Sequence, residues 1–235
     1  MEKLSRSEVI RLSKTTGQIS GYDLSGINLS KLDLIGIQFA TCNLKGANLS
    51  SSNFSTSNFE ATDLSGCDMS SSNFAGAIFR KANLEKSDLT FSSFIGADFS
   101  EANLREVNFT NSKIICAKFE KADLFMANLR MTEAVLIKLA NAKLQKINGY
   151  ASSMIGADLS GADLRRSSLR ATDLSGANLS SVDLREAEII EAIFVAANLF
   201  NADFRGAYIN AADFTLAKID GTKIDDNQKE IFLFH

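Results

Sequence analysis

The amino-acid sequence predicts an all-β solenoid, in which the chain winds into four-sided coils of 20 residues. The first observation is a period of five. From Ile19 to Ile224 every fifth residue is Leu, Ile, Phe or Met, and only Ala134 and Gly149 depart from this rule. The second observation is a longer period, because residues 20 apart repeat one another in type. A period of five fits neither an amphipathic helix nor an alternating strand. A solenoid fits both periods, since equivalent sites stack along its axis.

Four columns result when the large residues are sorted in steps of 20. One column is nearly all Leu and another begins with five Phe residues: Leu24, Leu44, Leu64, Leu84, Leu104, Leu124, Leu144, Leu164 and Leu184; Phe39, Phe59, Phe79, Phe99 and Phe119. Two positions before each large residue stands a small one, in most copies Ala, Ser, Thr or Cys, and Asp or Asn usually stands between the two. We expect the large and small residues to fill the interior and neighbouring coils to pair as parallel strands.

The repeating unit has the form A(D/N)LXX, as in the segments ANLSS, ADLSG and ADLRR. This unit resembles that of the pentapeptide repeat family, and the resemblance covers roughly residues 19–226. It implies a right-handed quadrilateral parallel β-helix of about ten 20-residue coils, with one pentapeptide on each side. An opening helix that leads through Gly into Asp-Leu and Asn-Leu repeats is similar to cyanobacterial members. The relation to quinolone-resistance members, which bind gyrase, is more distant.

The N-terminal segment is predicted to be a helical cap. Ser5 and Glu8 have the S-x-x-E spacing of a capping box, and Leu4 and Val9 stand at the matching staple positions. A helix is therefore predicted over about 5–14. Gly17 lets the chain leave this helix. We assign residues 1–16 to the cap and residues 17–226 to the β-helix.

The C-terminal segment, residues 227–235, is also assigned to a cap. It leaves the repeat, and a final turn of helix is predicted to lay Ile231, Phe232 and Phe234 on the last coil. End capping is one interpretation, because uncapped edges invite end-to-end assembly. A dimer seam is the other, because the resemblance to the family includes members that pair through their C-terminal ends.

The repeat is least regular over residues 131–154. There Ala134 and Gly149 replace large residues, and Leu136 and Tyr150 stand just off the register, which is restored at Met154. A bulged or bent coil is one interpretation. The other is a projecting loop with a binding role, because loops often carry the binding residues of rigid scaffolds.

One side of the predicted coil carries an apolar strip. The residues that directly follow its central large residues should point outward, because the residues before them point inward: Ile35, Ser55, Ala75, Ile95, Ile115, Val135, Ile155, Ser175, Val195 and Thr215. The other three sides carry balanced charges or many Ser, Thr and Asn residues. β-Branched residues favour strands whatever their function, but an aligned apolar strip is typical of a protein contact. The candidate binding residues are Ile35, Ile95, Ile115, Val135, Ile155 and Val195, and the partner is an unknown protein or a second copy.

The composition argues against catalysis and against bound cofactors or metals. The one His is His235, and no phosphate-binding loop, metalloprotease motif or nucleophile elbow is present. Cys42, Cys67 and Cys116 show no CxxC spacing, and the first two belong to the small inward set. The repeat itself accounts for the many Asp residues. We therefore predict a protein that is not an enzyme and that needs no cofactor or metal.

Charge and hydropathy bear on location and partners. The net charge of −3 provides no basic surface for direct binding to nucleic acid. No apolar run reaches the length of a membrane span, and the N-terminus lacks the apolar core of a secretory signal. With cysteines that suit a reduced state, these features predict a cytoplasmic protein, and the resemblance to cyanobacterial members implies a bacterial one. The first function predicted is a non-enzymatic scaffold for protein-protein interaction. The alternative, from the resemblance to quinolone-resistance members, is a DNA-mimicking regulator of gyrase or topoisomerase, although balanced charge suits DNA mimicry poorly.

Overall fold

The computed structural model describes residues 1–232, most of which form one solenoid. Bridge positions recur every five residues, and each pairs in parallel with the position 20 residues later. The first such pair is Lys3 with Asp23 and the last is Asp203 with Lys223. The 20-residue coil predicted from the columns is therefore confirmed. The longer elements, in chain order, are helix α1 (Arg6–Thr15), strands β1 (Glu188–Ile190) and β2 (Tyr208–Asn210), a 3-10 turn (Asp226–Gln228) and helix α2 (Lys229–Phe232). Strands β1 and β2 pair in parallel, with Glu188 opposite Tyr208.

The core is a continuous column of side chains inside the coils. On each side two residues point inward and the residue between them points outward, as in Ala47, Asn48 and Leu49. The rings of Phe39 and Phe59 stack with centroids 5.1 Å apart and planes 5° apart. This separation matches the spacing of hydrogen-bonded parallel strands, so like residues stack without distorting the coils.

The corners explain why Asp or Asn recurs in the unit. The Oδ1 of Asp63 accepts a hydrogen bond from the backbone N–H of Ser65 at 3.0 Å, an Asx turn that many other coils repeat. The second corner residue has a positive φ, 65° in Gly66 and 59° in Lys31. Its N–H donates to the next coil, as from Gly66 to the carbonyl oxygen of Glu85 at 2.9 Å. The bond between coils holds a backbone conformation that non-glycine residues otherwise disfavour.

Most buried hydroxyl and thiol groups in the small inward set find acceptors on the previous coil, whereas Ser167 Oγ is buried without a partner among the described residues. Ser52 Oγ donates to the carbonyl oxygen of Leu29 at 2.9 Å and accepts from the N–H of Leu32 at 3.1 Å. Cys42 Sγ takes the equivalent place and donates to the carbonyl oxygen of Ile19 at 2.8 Å. Since these polar groups are paired, Ser, Thr and Cys replace Ala inside the solenoid at low cost.

Helix α1 closes the first coil. Ser5 is its N-cap, and Glu8 completes the predicted capping box by accepting from the Ser5 N–H at 2.7 Å. Leu4 and Val9 are both buried at the predicted staple positions. The chain before the helix also joins the solenoid, because the Leu4 N–H donates to the carbonyl oxygen of Asp23 at 3.3 Å.

The C-terminal turn closes the last coil with one buried amide. Gln228 is 4% exposed, and its Nε2 donates to the carbonyl oxygens of Ala207 at 2.8 Å and Phe204 at 3.3 Å. Ile231, in helix α2, is partly buried and packs against the core. Of the other predicted cap residues, Phe234 and the side chain of Phe232 lie outside the described residues. The part that Gln228 plays was not predicted, although Asp225-x-x-Gln228 has the spacing of a capping box.

The prediction of an irregular coil over residues 131–154 is wrong, because the chain forms neither a bulge nor a projecting loop there. The bridges continue without interruption through Glu133 and Ser153. Gly149 fits the interior because Leu169 Cδ2 and Thr172 Oγ1 lie 3.3 and 3.5 Å from the place of a Cβ. Neighbouring side chains therefore fill the space of the missing one, and the backbone keeps its path.

Candidate protein-binding face

The apolar face is one of the four sides of the solenoid. Near the N-terminus its central residue is Asp33 and its two corners are residues 30–31 and 35–36, and the equivalent positions recur every 20 residues. Most exposed large apolar side chains of residues 1–232 lie on this face or its two corners: Ile35, Phe91, Ile95, Met131, Leu136, Tyr150, Ile155, Ile193 and Leu216. The others are scattered: Met1, Met126, Phe200 and Tyr208. The exposed apolar surface of the described chain is therefore concentrated on one side.

The structure places the six predicted binding residues in one row along a corner of the apolar face. Ile35, Ile95 and Ile155 are 51%, 42% and 41% exposed. The other three, Ile115, Val135 and Val195, are partly exposed. All six therefore have the outward orientation that the sequence predicts.

A second apolar row, on the opposite corner, was missed in the sequence. It includes Phe91, Met131 and Tyr150, which are 66%, 47% and 37% exposed. In the sequence these residues follow the central residues of the preceding side. An assignment of outward residues to one side at a time therefore places them on that preceding side. Two adjacent sides share each corner. Assigning every corner residue to both of its sides would have revealed this row in the sequence.

The two rows are densest over residues 82–161, where a polar strip runs between them. The strip contains Ser93, Lys113, Glu133 and Ser153, which are bridge positions of four successive coils. Lys113 Nζ lies 3.4 Å from Glu133 Oε1, and both side chains are about half exposed. The centre of the apolar face thus carries one cation and one anion between two apolar ridges.

Toward the N-terminus the same face has a shallow groove of about 620 Å³. Its lining is mostly Ser and Asn, with Phe91 and Lys113 toward its C-terminal end. Asn53 and Asn73 use their Oδ1 atoms for the corner N–H groups of Ser55 and Ala75. These two amides therefore serve the corners of the solenoid.

The side opposite the apolar face carries a ladder of ion pairs. Stacked Asp residues pair with Arg residues two positions later: Asp163 with Arg165, Asp183 with Arg185 and Asp203 with Arg205. Arg165 also reaches Asp183 of the next coil at 3.5 Å. The hydrogen bond from Arg205 lowers the pKa of Asp203, which accordingly stays ionised at neutral pH. Each carboxylate of the ladder is neutralised in place, so this side is not an acidic surface.

The thiols and carboxylates form no further site in the part of the chain that is described. Burial raises the pKa of Cys67 to about 12 and also raises the pKa of Cys42, so both thiols stay protonated. Cys116 is exposed on the apolar face. Within residues 1–232 no group of three or more His, Cys, Asp or Glu side chains is placed to hold a metal ion. Over the same residues no helix has the length and hydropathy needed to cross a membrane.

Comparisons with known proteins agree with this architecture. The family model described as pentapeptide repeats matches eight copies, over residues 23–60, 52–90, 92–130, 137–170, 162–199 and 197–226. Among solved structures, the chain is similar to HetL from the cyanobacterium Nostoc sp. strain PCC 7120, a pentapeptide repeat protein involved in heterocyst differentiation regulation. The identity is 27% and the TM-score 0.80, over 95% of this chain and 98% of HetL.

A more distant similarity is to QnrB1, a plasmid-mediated fluoroquinolone resistance protein. Its identity is 23% and its TM-score 0.48, over 88% of this chain and 95% of QnrB1. A search of curated proteins gives no match. The pentapeptide repeat matches imply a right-handed β-helix for the solenoid described above. The period of five, the pairing of coils 20 residues apart and the match over most of the sequence together show that this chain belongs to the pentapeptide repeat family.

Proposed function

We propose that this protein is a non-enzymatic scaffold that binds protein through its apolar face. The observation that carries the proposal is the concentration of exposed large apolar side chains on that one side. Single apolar residues on a protein surface are ordinary. Two aligned rows of exposed apolar side chains on one regular, hydrogen-bonded side are typical of a surface that another protein covers.

Local structure does not account for the second apolar row. Strand propensity favours β-branched residues such as Val135. However, Phe91 and Met131 occupy corner positions with φ values of 57° and 54°, where bulky residues are disfavoured and glycine is preferred. The corner geometry does not call for an apolar side chain, since Lys31 and Asn111 occupy the same corner in other coils with similar φ values.

The alternative, a DNA-mimicking regulator of gyrase or topoisomerase, is not favoured. A mimic of DNA needs a dense, unneutralised negative charge. The net charge here is −3, and Arg165, Arg185 and Arg205 neutralise the stacked carboxylates opposite the apolar face. We place the scaffold in the cytoplasm, because the three cysteines are unpaired and exposed Cys116 suits a reducing compartment. The similarity to HetL from a cyanobacterium supports a bacterial source.

The test is affinity capture from a lysate of the source organism with three immobilised proteins. They are the wild type, Ile95→Asp/Ile155→Asp on the apolar face, and a control, Met126→Asp/Phe200→Asp. The two control residues are each 49% exposed and lie on other corners. We expect at least one protein to bind the wild type and the control but not the apolar-face variant. Matched thermal unfolding curves confirm that all three are folded, and equal retention by all three would refute the proposal.

A further inference from the structure

We propose that the apolar face binds a second copy of this chain in an antiparallel dimer. The twofold axis runs across the face between the coils 102–121 and 122–141, perpendicular to the solenoid axis. This inference rests on the proposed function, because it names the partner of the same face. A twofold interface is self-complementary: if one residue faces another, the second faces the first across the dimer. The arrangement of residues along the apolar face meets this condition about that axis.

The apolar row at the first corner matches itself under this operation. The axis exchanges coil 102–121 with 122–141 and coil 82–101 with 142–161, and keeps each corner opposite the same corner of the other copy. Ile115 then lies opposite Val135, and Ile95 lies opposite Ile155. Each contact occurs twice, so four successive coils meet apolar on apolar.

The second apolar row matches itself at one pair of corners, whereas its Met131 meets the polar corner Thr110–Asn111. The corner of coil 82–101 contains Phe91, and the corner that it meets contains Tyr150. Both rings are exposed in the single chain. Arg130 already stacks on Tyr150, with its Cζ 5.0 Å from the ring centroid. Aromatic and arginine side chains are the residues that most often dominate protein interfaces.

The polar strip between the rows has complementary charge. The axis places Lys113 of each copy opposite Glu133 of the other, and Ser93 opposite Ser153. In the single chain Lys113 and Glu133 pair with each other at 3.4 Å. In the dimer the four charges alternate in sign, so each cation lies between two anions.

Charge also excludes the parallel arrangement of the same two faces. A twofold axis along the solenoid would place Lys113 opposite Lys113 and Glu133 opposite Glu133, and like charges opposed across an interface disfavour it. In the antiparallel arrangement Asp33 faces Asp213 near both ends, so the contact is centred on the middle coils. Four coils cover about 19 Å by 16 Å of each copy. This is roughly 300 Å² per copy, well below the area of a standard specific interface, so we expect a weak, reversible dimer.

Sedimentation velocity over a concentration series tests the dimer with a charge exchange. Lys113→Glu alone and Glu133→Lys alone each replace both attractive pairs by repulsive ones, so each is expected to weaken self-association by about tenfold or more. An equimolar mixture of the two variants restores opposite charges and is expected to dimerise again. Lys118→Glu, an exposed charge change on the neighbouring side, is the control and is expected to leave the Kd unchanged.

Disulfide cross-linking tests the register. In a Cys116→Ser background, a mixture of Ile95→Cys and Ile155→Cys chains is expected to form a covalent dimer on mild oxidation. The Ile95→Cys chain alone is expected to form none, because the two introduced thiols would lie three coils apart. Wild-type protein that stays monomeric at every concentration, or a covalent dimer formed by the Ile95→Cys chain alone, would overturn the proposal. If the wild type stays monomeric while binding of the lysate partner still depends on Ile95 and Ile155, only the dimer proposal fails. If neither self-association nor binding of a lysate partner depends on these two residues, both proposals fail.

Discussion

The amide Nε2 of Gln228 donates a hydrogen bond to the carbonyl oxygen of Ala207 at 2.8 Å, across the open end of the last coil. A solenoid leaves unpaired backbone groups at its ends, and such groups invite another chain to pair with them. A single side chain thus substitutes for the missing coil at this point.

Replacing Gln228 by Ala is expected to destabilise the fold by about 1–3 kcal/mol, because it removes a buried donor from the Ala207 carbonyl. Asn227→Ala, at the exposed neighbouring position, is the control and is expected to change the unfolding free energy by less than about 0.5 kcal/mol. Urea unfolding followed by circular dichroism measures both. Equal stability of the two variants would contradict this account of the cap.

Phe79 tests the stacked core. Its ring lies 5.0 Å from Phe59 and 4.6 Å from Phe99, centroid to centroid, and it is fully buried. Phe79→Ala is expected to cost about 3–5 kcal/mol of unfolding free energy, through lost burial and a cavity in the column. Phe79→Leu is expected to cost less than half as much, because Leu139 fills the same column three coils later. Denaturant unfolding distinguishes the two, and similar losses would argue against a column packed by stacking.

A substitution of Phe91 distinguishes a role in binding from a role in stability. It is 66% exposed in a left-handed corner with a φ of 57°. Phe91→Gly relieves a backbone conformation that costs a non-glycine residue about 1 kcal/mol. The variant is therefore expected to match or exceed the wild type in unfolding free energy while it weakens self-association. A clear loss of stability would show that Phe91 serves the fold.

Acid should weaken the charged ladder through Asp203. Its folded-state pKa is depressed by the hydrogen bond from Arg205, below the ordinary value of 3.8. A depressed carboxyl pKa stabilises the fold above the unfolded-state pKa, and this stability is lost as the pH falls through the folded-state value. The unfolding free energy is expected to fall as the pH drops below about 4, and to fall less in Asp203→Asn. Unfolding curves from pH 5 downward measure the difference, and parallel profiles would contradict it.

The thiols should differ sharply in reactivity. Cys42 and Cys67 are buried, and burial raises the pKa of both, that of Cys67 to about 12, whereas Cys116 is exposed. The thiolate is the reactive form. A chromogenic disulfide reagent at neutral pH is therefore expected to modify Cys116 rapidly in the native protein and all three residues after unfolding. Cys116→Ser should remove the rapid phase, and rapid modification of Cys67 would contradict its burial.

Local periodicity made the solenoid predictable. Residues such as Leu44 and Leu64 repeat in type because they occupy equivalent sites one coil apart, so the coil length can be read directly from the sequence. The same alternation of inward and outward positions gives the orientation of Ile95 and Ile155. Helix α1 was predictable too, because the capping box of Ser5 and Glu8 involves residues three apart.

Contacts between distant residues decided the rest. Gly149 is accommodated because Leu169 and Thr172, one coil later, fill its space, and no pattern around position 149 reveals this. Phe91 and Tyr150 belong to the apolar face because two sides share a corner. In the sequence these residues follow the central residue of the neighbouring side and so are assigned to that side. The sequence by itself therefore determined the coil, its interior and the orientation of each side, since these follow from short-range repetition. The tertiary structure alone decided that the row of Phe91 and Tyr150 shares a surface with the predicted row, because that depends on how adjacent sides meet at a corner.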